Sequence, residues 1–115
     1  MFDFEKLTVY SKAKVLNREI ILFLRYEKRI DSYIRDQLKR ASISSVINIA
    51  EGSGKFSKPD KKRFYIIARG SVYECVSLLE LIYDDRLIDE KRFRYFYEKY
   101  EEISKMLLGL INSQN

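Results

Sequence analysis

A chain of 115 residues, 46% hydrophobic and 34% charged, carries enough apolar material for one core, and that balance excludes disorder. It contains no histidine and one cysteine, Cys75, which excludes a histidine-based triad, a Glu-x-x-His di-iron motif, a zinc cluster and an internal disulfide. The net charge of +5 is modest, so where the cations sit matters more than their total.

One proline and four glycines leave long uninterrupted stretches, which favours helices over a turn-rich β fold. No basic region and apolar run follow Met1, and charges break every apolar stretch well before transmembrane length. The lone cysteine fits a reducing compartment. These features predict one soluble, cytoplasmic domain over residues 1–115 with no membrane contact.

The first helix is expected from Lys6 to Leu24, where Leu7, Tyr10, Ala13, Leu16, Ile20 and Leu24 recur at three- and four-residue spacing. The charged segment Arg25–Arg29 ends the repeat, and cations there suit a helix C-terminus. The second helix starts with Asp31 or Ser32 as N-cap and stops near Gly52 to Gly54.

On a wheel this second helix places Gln37, Arg40, Ser44, Asn48 and Glu51 inside one arc of roughly 80°. Leu38, Ala41 and Ile49 flank the arc on one side. Ile43, Val46, Ile47 and Ala50 flank it on the other. A polar stripe between two apolar walls reads as the face of a mostly buried helix carrying an ordered row of hydrogen-bonding groups.

A loop, Lys55–Asp60, leads to the third helix. Ser57 is placed to cap it, Pro59 suits its first turn, and Asp60 adds a favourable negative charge. That helix is expected from Pro59 to Tyr83. One face carries Phe64, Ile67, Ala68, Ser71, Cys75, Leu78 and Ile82. A second face, Tyr65, Val72, Val76 and Tyr83, is assigned to contact with another subunit, because few positions in a four-helix domain are surrounded. Asp89 caps the fourth helix, whose single apolar stripe is Phe93, Phe96, Tyr97, Tyr100, Ile103, Leu107, Leu110 and Ile111. Four amphipathic helices with short links read as an all-α, antiparallel up-down-up-down four-helix bundle.

In such a bundle Arg63 lies level with Glu51, and Glu74 lies toward Ser44 and Arg40. The pairs Glu51–Arg63 and Arg40–Glu74 are therefore expected, within a structural polar network of Gln37, Arg40, Ser44, Asn48, Glu51, Ser71 and Glu74. Glu51, Glu74 and Asp60 do not form a metal site, since nothing in their spacing demands one and arginines adjoin them. The run Gly52–Ser57 lacks the full phosphate-loop pattern and follows a helix where a strand is needed. No nucleophile–base pair is recognisable, so no catalytic residue, metal or cofactor is assigned.

The positive charge is focused. Lys55, Lys58, Lys61, Lys62 and Arg63 stand against only Asp60, whereas Asp84 to Glu102 holds five basic and seven acidic residues. With Phe56 and Tyr65 nearby, the cluster suits phosphate contacts and base stacking. Arg69 and Lys39 are added as further phosphate contacts.

The segments Gln37–Ala41, Asn48–Gly52, Arg63–Phe64, Ile67–Ala68 and Gly70–Ser71 followed by Glu74 resemble the signature of the four-helix-bundle proteins encoded in intervening sequences of bacterial 23S rRNA genes. The likeness covers nearly the whole chain, from the opening Leu7–Tyr10 and Ala13 onward. It departs at Arg25–Tyr33, which is more charged than the aromatic–proline link often seen there. The resemblance implies an antiparallel bundle assembled as a ring-like homopentamer, similar in shape to the basic, nucleic-acid-binding accessory proteins of diversity-generating retroelements. The expected function is a non-enzymatic homo-oligomer that binds nucleic acid, RNA rather than DNA, through the basic bend. The alternative is a protein–protein scaffold or adaptor for a nucleic-acid-processing enzyme such as a reverse transcriptase.

Overall fold

Each apolar repeat becomes one helix in the computed structural model, which describes residues 1–115. The helices are α1 (Thr8–Tyr26), α2 (Ser32–Ser53), α3 (Lys58–Asp84) and α4 (Glu90–Asn112), and there is no strand. Three starts are set by caps close in sequence. The Asp31 carboxylate accepts from the backbone N–H groups of Tyr33 and Ile34, Ser57 accepts from that of Asp60, and Asp89 from that of Arg92.

Helix α1 has no side-chain cap and starts two residues later than the apolar repeat suggests. Residues Asp3–Lys6 instead form a 3-10 turn, and the Phe4 ring meets Tyr10 edge-on at 4.8 Å. The far end of α1 is closed from α2. The Arg35 guanidinium donates to the carbonyl of Leu24 and, at 2.7 Å, to that of Glu27, which satisfies acceptors that a helix end leaves free.

Helix α3 ends in a Schellman motif. The Arg86 N–H donates to Tyr83 O (2.9 Å) and the Leu87 N–H to Ile82 O (3.1 Å). Arg86 takes the left-handed position, φ 58°, where glycine is usual.

Contacts climb one helix while descending its neighbour. Asn17 meets Ser42 and Leu24 meets Arg35 between α1 and α2. Arg40 meets Glu74, and Gly52 meets Tyr65, between α2 and α3. Arg69 meets Ser104 and Tyr83 meets Phe93 between α3 and α4. Lys12 meets Glu102 and Glu19 meets Tyr95 between α1 and α4. All four helices contribute to one buried cluster, with Ile20, Leu38, Leu79, Phe96 and Leu107 among its fully enclosed side chains.

A small polar group is sealed inside. Ser42 Oγ donates to Asn17 Oδ1 at 2.8 Å. The buried Tyr100 hydroxyl has Ser42 and Cys75 as polar neighbours but no partner in hydrogen-bonding geometry, and burial pushes it well above the usual phenol range. Burial likewise pushes the Cys75 thiol up to about 12, which leaves it inert as a nucleophile at neutral pH.

Candidate nucleic-acid interface

The bend between α2 and α3 is built by a close approach. Gly52 lies inside the last turn of α2 rather than past its end, and no glycine in the chain has positive φ. A Cβ at position 52 would meet Tyr65 Cε1 at 2.8 Å and Phe64 Cβ at 3.1 Å. The glycine is therefore required by the contact between helices, and not by the left-handed cap its position suggests. Gly54 is the C-cap, with φ −86°.

None of the five cations of the bend forms an ion pair. Their surroundings differ. Lys58 is exposed at the first position of α3. Arg63 is exposed, its guanidinium 5.2 Å from the Phe64 ring centre, and Lys55 Nζ lies 4.8 Å from the same ring. Lys61 is half-buried and turned back, donating to Ser53 O at 2.8 Å, so it closes the C-terminus of α2. Lys62 reaches the tail, donating to Asn115 Oδ1 at 2.6 Å. The Phe56 ring in the same bend is fully exposed. Tyr65 is not available for stacking, because it is 3% exposed under the end of α2.

The two added cations are elsewhere. Arg69 donates to Ser104 O (3.2 Å) and Tyr73 Oη (3.0 Å), which ties it to the α3–α4 side. Lys39 is exposed early in α2, 15 residues before Gly54 and thus roughly 22 Å along the axis from the bend.

The polar row on α2 is present, but it is a seam at the surface and not a buried stave. Arg40 and Glu51 are exposed, while Gln37, Ser44 and Asn48 are half-buried. Across the seam Arg40 Nη2 lies 2.8 Å from Glu74 Oε2 and donates to Gln37 Oε1 at 2.9 Å. Ser44 and Ser71 share a hydrogen bond of 2.9 Å, and Asn48 Nδ2 donates to Ser44 Oγ at 3.0 Å. The expected Glu51–Arg63 pair does not form: Glu51 faces water and Arg63 lies against Phe64.

The face assigned to subunit contact is covered by the chain itself. Val72 is 1% exposed and belongs to the core, Val76 packs against that core, and the Tyr83 ring stacks on Phe93 of α4 at 4.5 Å. Apolar side chains on the halves of α2 and α3 nearest the bend are left outside. Ile43 and Ile47 of α2 are 38% and 48% exposed, and Ile66 and Ile67 of α3 are 50% and 45% exposed. The second apolar wall of α2 was the signal for this surface, and the expectation placed it inside.

A sequence profile of the 23S rRNA-intervening sequence protein family matches residues 5–109. Among solved structures, the chain is similar to a protein with unknown function from the S23 ribosomal protein family of Bacteroides thetaiotaomicron. The two share 24% identity and a TM-score of 0.84, over 90% of this chain and 98% of that one. A search of curated proteins finds no match.

Proposed function

The chain belongs to the 23S rRNA-intervening sequence protein family, and from that premise we propose that it is a non-enzymatic, nucleic-acid-binding homo-oligomer that prefers RNA to DNA. The opposed contacts between neighbouring helices support an antiparallel up-down-up-down bundle forming one domain. The observation that carries the reading is the bend. Lys55, Lys58 and Arg63 have no carboxylate in ion-pair range, and the Phe56 ring in the same bend is fully exposed. Unpaired cations on a convex turn contact phosphates, and an exposed ring offers a stacking surface for an unpaired base. Lys61 and Lys62 raise the local potential while Lys61 holds the turn and Lys62 reaches the C-terminal tail.

Ile43, Ile47, Ile66 and Ile67 supply the surface for self-association, in a ring of five by resemblance, in the cytoplasm. They lie on the halves of α2 and α3 nearest the bend, so assembly there gathers several bends together.

Salt titration of RNA binding tests the reading. Affinity should fall steeply with ionic strength. Changing Lys58 and Arg63 together to glutamate should weaken it at least tenfold at low salt. Binding that ignores both salt and these substitutions overturns the proposal.

A further inference from the structure

The groove between the second half of α3 and the first half of α4 has the opposite character from the bend. Tyr73 and Glu80 stand on one wall, Tyr97 and Glu101 on the other, and Val72 and Val76 lie in its floor, enclosing about 350 Å³. Past Tyr97 it continues into a hollow of about 270 Å³ bordered by Phe93 and Glu98. Glu80, Glu98 and Glu101 take part in no ion pair. Arg69 is engaged with Ser104 O and Tyr73 Oη, and Arg94, which borders the hollow, with Glu90 at 3.3 Å.

Three unpaired carboxylates beside tyrosine rings, over an apolar floor, repel a polyanion and attract a flat cation. A guanidinium meets both demands, because it stacks on an aromatic face and donates in a fork to a carboxylate. An ammonium meets the charge alone. We propose that the α3–α4 groove docks an arginine-bearing segment of a partner protein. The occupant is a partner and not a second copy, because the largest cationic cluster of this chain, Lys55–Arg63, has four lysines to one arginine. The inference does not depend on nucleic acid binding at the bend, and it gives the adaptor alternative a site.

The test uses the whole chain and two fluorescent eight-residue peptides, one alternating arginine with glycine, the other lysine with glycine. Anisotropy should show the arginine peptide binding several-fold more tightly. Glu98→Gln with Glu101→Gln should weaken both peptides about tenfold, the loss of two exposed charge pairs. Tyr97→Leu should remove the preference for arginine and leave lysine binding unchanged. All three positions are exposed, so the fold should be retained, and circular dichroism checks that it is. RNA affinity of the same variants should hold or rise. Equal peptide binding by the parent and the glutamine variant overturns the proposal. So does a fall in RNA affinity with it, or a drop in solution mass on Glu98→Gln with Glu101→Gln, which would make the groove a contact between copies. Failure of the bend reading shows up separately, as salt-insensitive RNA binding with these peptide results intact.

Discussion

At position 52 a missing methyl group decides how closely two helices meet. A Cβ there collides with the Tyr65 ring, which is buried and has nowhere to move. Gly52→Ala should therefore lower stability by about 1–3 kcal/mol by overpacking, although alanine is the better helix former. Gly109 is also helical, but a Cβ there meets nothing within 4 Å. Gly109→Ala should raise stability by about 0.5–1 kcal/mol, and urea unfolding of the two variants should show the opposite signs. A second local effect lies in the α1–α2 link. Hydrogen bonds from the Arg29 side chain and backbone hold the Glu27 carboxyl down, from the ordinary 4.5 to about 2. Because the folded value is the lower one, its stabilising contribution is present above pH 4.5 and fades as pH falls toward 2. Carbon-13 titration should find Glu27 the most acidic glutamate of the chain, and Arg29→Gln should return it toward the ordinary value.

Between elements, the α2–α3 seam holds register more than it holds energy. The Arg40 and Glu74 side chains are 61% and 37% exposed, so water screens their pairing and leaves about 0.2–1 kcal/mol. A double-mutant cycle of Arg40→Gln and Glu74→Gln should return a coupling no larger than that. A coupling of several kcal/mol would mean the seam is covered in solution. This pairing was legible in the sequence, because antiparallel neighbours and three- or four-residue spacing fix which positions are level. The caps at Asp31, Ser57 and Asp89 were legible because each acts within three residues of itself. Helix α4 was legible because it has a single apolar stripe. Helices α2 and α3 each have two apolar arcs, and a wheel measures the angle between arcs without saying which one the other helices cover. The wheel therefore puts Ile43 and Ile47 inside and Val72 and Tyr83 outside, the reverse of the structure. The closures of α1 by Arg35 and of α2 by Lys61 span eight or more residues and depend on loop paths that no local pattern encodes.

As a whole, the molecule is a rod of 44 × 23 × 21 Å with the basic bend at one end and four exposed isoleucines on the adjoining halves of α2 and α3. On the proposed function, that placement would couple assembly to binding. One copy offers three unpaired, exposed or ring-facing cations at the bend, Lys55, Lys58 and Arg63. A single bend contacting that many phosphates of a single strand should give a log–log salt slope of about −2. Copies joined along the isoleucine flank bring their bends to one rim, and a strand that crosses several bends releases counterions at each. The parent chain should therefore show a slope at least twice as steep as a monomeric variant. Ile47→Asp with Ile66→Asp is that variant. Both side chains are half exposed, so charge there should leave the folded subunit intact while breaking the contact between copies. Sedimentation should show the mass falling to that of one chain, and the salt slope should flatten with it. If the mass falls while the slope stays the same, each bend binds alone and the rim plays no part. If the mass does not change, the isoleucines are not the contact.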